Sequence, residues 1–173
     1  YIRTTSASIK NRGTHDLLNY IRRDIRQYPE EMRYVYKFDI TKFYESIWQD
    51  FMMYCLRRMF KDRILLTILE RFVRMMPEGL SIGLRSQGFG NMLLSMFLDH
   101  YLKDEKGLKH FYRYCDDGTS HARTKKECWI IRNYVHQQVE LMHLKVKSNE
   151  RVFPISEGID FLGYVIYPTH TRL

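Results

Sequence analysis

Residues 112–118 read YRYCDDG, which sets Asp116 and Asp117 side by side in a chain of net charge +8. Adjacent carboxylates repel, and where a strand ends only one of them faces a given side of the sheet. Taken alone, such a pair is a solvated turn. A third acid changes the reading: Asp39 lies near the end of RYVYKFDI (33–40), a run rich in β-branched and aromatic residues that predicts a strand. Carboxylates drawn from separate strand ends suit two Mg²⁺ ions about 3.5–4 Å apart, one activating a hydroxyl and one stabilising a leaving oxygen at phosphorus. Mg²⁺ takes hard oxygen ligands and keeps water and substrate phosphate in its shell, so few protein groups suffice; Mn²⁺ can substitute.

Rigid elements must carry these acids. In HDLLNYIRRDIRQY (15–28), Leu17, Leu18, Ile21 and Ile25 have helical spacing, and Pro29 fits a stop. Residues 46–76 read as two helices broken near Lys61–Asp62, ended by Pro77 and Gly79. LSIGLRSQG (80–88) reads as a loop in which Ser86 caps a helix over 88–103. HFYRYC (110–115) predicts a strand, DDG a tight turn eased by Gly118, and TSHA the returning strand. Thr124 caps a helix through about Met142, and short strands follow near 151–155 and 160–167. The order predicts an α+β fold, an antiparallel sheet with helices on one face, and it brings Asp39 and Asp116–Asp117 to one sheet edge.

Composition narrows the classes. A hydrophobic fraction of 45% excludes disorder, and 28 Lys plus Arg against 20 Asp plus Glu favour a polyanionic partner. Three widely spaced cysteines, Cys55, Cys115 and Cys128, form no metal knuckle and point to a reducing, cytoplasmic setting. No apolar run approaches the roughly 18–20 residues that span a bilayer, so no membrane partner is expected. The opening YIRTTSASIK without an initiator Met suggests a piece of a longer protein. The seven histidines show no HExxH spacing and read as surface or core groups; Met52–Met53 and Met75–Met76 read as core.

KFDITKFYESI (37–47), SIGLRSQGFGN (81–91), FYRYCDDG (111–118) and GIDFLGYVI (158–166) occur in the order and spacing of reverse transcriptase motifs, and together this resembles a bacterial reverse transcriptase over residues 9–167. SQGFGN is most similar to the diversity-generating retroelement branch, with a group II intron-like enzyme as second choice; the spacing from Ile82–Gly83 to Ser86–Gln87 is one residue shorter than that branch's pattern. The resemblance implies a polymerase palm over 37–173, with a fingers–palm connection over 1–36. A further fingers hairpin is expected before Tyr1 and a thumb after Leu173. It implies RNA-directed DNA synthesis from a DNA primer and deoxynucleoside triphosphates, with a possible retroelement accessory protein and a bacterial, phage or mobile-element origin. Asp39, Asp116 and Asp117 map onto the catalytic acids, and Asp39, Ile40, Asp116 and Asp117 onto the metal-holding set. Tyr44, five residues after Asp39, matches the aromatic gate that excludes a ribose 2′-hydroxyl; Phe43, Gln87 and Arg85 fall at nucleotide-binding positions. Arg12, Ser86, Arg151, Leu162 and Gly163 fall at nucleic-acid-binding positions, the last two in the primer-grip-like FLGY.

Three rival readings stand beside this one: an RNA-templated RNA polymerase, which would lack the bulky gate; a defence-type relative that makes DNA without a template; and a catalytically idle RNA-binding module, which has no need to gather acids near a polyanion.

Overall fold

The computed structural model of the protein describes residues 1–82 and 87–173. Strand β1 (Thr5–Ser6) leads to helix α1 (Thr14–Gln27), and β2 (Tyr34–Asp39) runs into the short helix α2 (Phe43–Ser46). Helices α3 (Gln49–Met59), α4 (Arg63–Val73) and α5 (Gln87–Leu94) follow, the last continuing in wider π-type turns over Ser95–Asp99 and Tyr101–Glu105. The hairpin of β3 (Phe111–Tyr114) and β4 (Asp117–Ala122) comes next, then α6 (Lys125–Leu141), β5 (Arg151–Pro154), β6 (Ile159–Phe161), β7 (Tyr164–Ile166) and β8 (Thr171–Arg172).

The sheet has five strands in the order β1-β3-β4-β2-β5, so β2 and β4, which carry the acids, are central neighbours. All pairs are antiparallel except β1 with β3, which is parallel. A three-stranded sheet, β6-β7-β8, stands apart. The expectation of helices on one face is corrected, because strand side chains alternate and both faces are apolar. Tyr36 and Phe38 pack into one core with residues of α3, α5 and α6. Val35 and Tyr112 pack into a second core with Leu17, Leu18, Ile21 and Ile25 of α1 and with Phe161 and Ile166. Sandwiched in this way, the sheet holds its strand ends rigidly.

Local chemistry sets the element ends. Asp62 caps α4, its Oδ1 accepting from the Leu65 N–H at 3.0 Å. Thr124 caps α6 in a reciprocal box: its hydroxyl accepts from the Glu127 N–H, and the Glu127 carboxylate accepts from the Thr124 N–H. The proposed Ser86 cap lies outside the described residues. Two turn expectations need correction. The β3–β4 turn is Cys115–Asp116, because Tyr114 already pairs with Asp117. Gly118 therefore lies within β4, opposite Phe38, where a Cβ would come within 2.6 Å of the Phe38 ring. The glycine makes room for an aromatic ring across the strands; it does not form the turn.

Candidate active site

The acids are placed by strand register. Asp39, the last residue of β2, is directly opposite Asp117, the first residue of β4. Residues directly opposite in an antiparallel pair share a face, so these two carboxylates lie on the same side of the sheet. Asp116 sits at the turn beside them. Cys115, its turn partner, takes φ +56°, the left-handed region that a non-glycine residue enters at a cost. A two-residue turn with positive φ only at its first position is the mirror-image form that matches the twist of paired strands.

The electrostatics are those of crowded acids. Burial raises the Asp116 carboxyl above the ordinary range, and the nearby Asp39 charge adds to the rise. Asp117 is pushed up to about 7, chiefly by burial, with Asp39, Asp116 and Asp160 adding to the rise and Lys37 opposing it. Oδ1 of Asp39 and Oδ1 of Asp117 are both buried and accept no hydrogen bond. Buried oxygens of this kind cost stability unless something occupies their lone pairs. Lys147 donates an ammonium hydrogen bond to the other Asp39 oxygen, and Asp39 in turn raises the Lys147 pKa. Lys37 approaches Oδ2 of Asp117 at 4.0 Å and donates to the Asp160 carbonyl.

Asp39 and Asp117 open onto a cleft of about 290 Å³ that Lys37, Arg151 and Asp160 also line; Asp116 and Lys147 are not part of its lining. Arg151 lies at its rim, exposed, with its guanidinium over the Phe153 ring and paired with Glu157 at 3.1 Å. Among the described residues no three His, Cys, Asp or Glu side chains form a ready-made cation cage. What converges is a pair of facing carboxylates with a third at the turn. Lys147 and Lys37 escaped sequence reasoning. Lys147 reaches Asp39 only because residues 145–147 run beside the end of β2, with Thr41 N–H bonding to Lys145 O and Lys147 N–H to Asp39 O, each at 2.8 Å. Nothing in the local sequence signals that bridge.

The remaining candidate residues divide by burial. Tyr44 is half-buried, its hydroxyl 2.8 Å from Cys115 Sγ and its ring 4.9 Å from that of Phe43. A Cβ on Gly90 would come within 2.9 Å of both rings, so this glycine of SQGFGN lets them pack against α5. Phe43 itself is 2% exposed, its side chain lying in the core and its ring against that of Tyr44. The Ile40 side chain is likewise in the core. Gln87 opens α5, its Oε1 accepting from the Ser8 hydroxyl at 3.4 Å. Arg12 donates to the Ile2 carbonyl at 2.7 Å, so part of its donor set is spent within the fold. Leu162 and Gly163 form the β6–β7 turn, both at positive φ, with Leu162 packed against the second core. Arg85 and Ser86 lie outside the described residues.

Among the described residues no helix is long and apolar enough to cross a membrane. No curated protein matches the chain. The family model for reverse transcriptase, RNA-dependent DNA polymerase, matches residues 3–166. That match spans the first strand, both acid-bearing strands and the β6–β7 hairpin, and the chain belongs to the reverse transcriptase family.

Proposed function

We propose that the cleft beside β2 and β4 is the polymerase centre, where a primer 3′-hydroxyl attacks the α-phosphate of a deoxynucleoside triphosphate under the direction of an RNA template. The observation that carries this reading is the facing pair Asp39 and Asp117, each with a buried oxygen that lacks a partner, beside the crowded Asp116. The donor set fits divalent cations of the Mg²⁺ type: hard oxygens, few in number, with the remaining ligands left to water and phosphate. Asp39, Asp116 and Asp117 would hold two such ions, with Ile40 beside them; bound there, the ions lower the hydroxyl pKa and stabilise the leaving pyrophosphate.

The chain's own groups do the rest. Lys147 pairs with Oδ2 of Asp39 and leaves Oδ1 without a partner, free to face a cation. Lys37 and Arg151 supply positive charge at the cleft for the triphosphate or the nucleic-acid backbone. Tyr44, braced by Phe43, Gly90 and Cys115, presents a ring where a ribose 2′-hydroxyl would lie, which favours deoxynucleotides. Gln87 and Arg85 support the incoming base; Arg12, Ser86 and the Leu162–Gly163 turn support template and primer. Residues 37–173 are read as the palm and 1–36 as the fingers–palm connection, tied to the palm through the β1–β3 pairing. The SQGFGN segment favours the diversity-generating retroelement branch over group II intron-like enzymes.

The test is Mg²⁺-dependent incorporation on a primed RNA template by the full-length protein and its Asp116→Asn variant. Loss of incorporation with an unchanged thermal midpoint is expected; retained activity overturns the assignment. Product that ignores the supplied RNA sequence would indicate untemplated synthesis instead. A second variant, Tyr44→Ala, is expected to admit ribonucleotides, and unchanged selectivity removes the gate.

A further inference from the structure

Beneath the β3–β4 turn lies a buried polar cluster that no step above uses. Arg113 of β3 and Asp99 at the end of the first π-type turn are both fully buried. The Arg113 Nε and Nη2 donate to Oδ1 and Oδ2 of Asp99, each at 2.6 Å. Oδ2 of Asp99 also accepts from the Thr5 hydroxyl at 2.7 Å. The Arg113 Nη1 donates to Oδ1 of Asn91 at 2.8 Å and to the backbone carbonyl of Cys115. Asn91 completes the set by donating to the Ala7 carbonyl at 2.8 Å.

The guanidinium thus ties the helix that opens at Gln87 to the turn that carries Asp116, and its partners Asp99 and Asn91 bond onward to Thr5 and Ala7 of the β1 segment. The turn is the piece that needs holding, since Cys115 occupies left-handed backbone without being glycine. Segment Thr4–Ser6 brackets it further: the Arg113 N–H donates to Thr4 O at 3.1 Å and the Cys115 N–H to Ser6 O at 3.4 Å. A buried ion pair is a poor device for stability alone, because desolvation offsets most of its attraction. A planar fork that meets a carboxylate with two nitrogens and turns a third toward a carbonyl is a good device for fixing geometry.

We propose that Arg113 is a positioning residue: oriented by Asp99 and Asn91, it locks the Cys115 carbonyl and so sets where the Asp116 carboxylate stands relative to Asp39. The proposal rests on the reading that Asp116 holds metal. It also makes the helix bearing Gln87 and the metal-holding turn a single rigid unit, so that a shift of one is felt by the other.

Arg113→Lys keeps a positive charge against Asp99 but loses the fork, and Asn91→Ala removes one acceptor while leaving the Arg113–Asp99 pair. Both are compared with wild type and Asp116→Asn in the full-length protein. The readouts are Mn²⁺ binding by calorimetry without substrate, kcat and KM for dTTP on poly(rA)·oligo(dT), and the thermal midpoint. In both variants Mn²⁺ affinity and kcat are expected to fall by roughly 10–100-fold, as for residues that orient metal ligands. KM should stay within about twofold, since loss of a transition-state interaction lowers kcat with KM unchanged. Should Arg113→Lys fail to fold, Asn91→Ala decides; failure of both to fold overturns the proposal in favour of a purely structural role. Wild-type Mn²⁺ affinity in both variants, with Asp116→Asn impaired, overturns the proposal alone. Wild-type affinity in Asp116→Asn overturns the reading of Asp116 and the proposal with it.

Discussion

Beneath the β3–β4 turn the side chains of Arg113, Asp99, Asn91 and Thr5 bond to one another, whereas beside it Asp39 and Asp117 each bury an oxygen that meets no partner. Both clusters are polar, and the hairpin of β3 and β4 brings them together, with Arg113 on one strand and Asp117 on the other. A network with its polar groups satisfied adds rigidity; one left partly open carries a cost that persists only where something outside the chain repays it. The two clusters should therefore answer differently to perturbation, and four substitutions and a pH titration would break or sharpen that difference.

The largest effect is expected below the turn. Asp99→Ala strands the Arg113 guanidinium in the core and should cost about 3–5 kcal/mol, read by urea denaturation. A smaller loss, about 1–3 kcal/mol, is expected from Gly118→Ala, because the added methyl meets the Phe38 ring across the strands; a denaturation midpoint equal to wild type would refute that packing. Above the turn the sign reverses. Asp117→Asn relieves a carboxyl held up at about 7, so the metal-free protein should gain on the order of 0.5–2 kcal/mol at pH 8 while losing polymerase activity. The same group predicts a pH dependence. A carboxyl raised to about 7 holds its proton more tightly folded than unfolded, so metal-free stability should fall as the pH rises from about 4 to 7. Melting curves with EDTA should show that fall, and saturating Mg²⁺ should flatten it. The smallest effect is expected at the rim: Arg151→Ala breaks only an exposed pair with Glu157 and should change stability by less than about 0.5 kcal/mol. Its consequence should appear in KM for the triphosphate.

Much of this architecture was legible from local pattern. The apolar spacing of Leu17, Leu18, Ile21 and Ile25 with Pro29 behind it gave α1, and Thr124 as a cap gave the start of α6. Asp39 at the end of a strand was recoverable because a β-branched and aromatic run stops there, whereas Asp117 was read into the turn and in fact opens β4. The turn was misplaced by one residue because Gly118 draws attention as a turn former, while its role lies across the sheet under Phe38.

Residue type and order along the chain determined that acids would stand at strand ends, in a basic molecule, in the sequence of motifs that marks a reverse transcriptase. Only tertiary structure decided which groups meet them. Lys147 reaches Asp39 across 108 residues, and Thr5 reaches Asp99 across 94. Periodicity reports which face of an element is apolar, but register and strand order fix which polar atoms meet. Both depend on contacts made far along the chain.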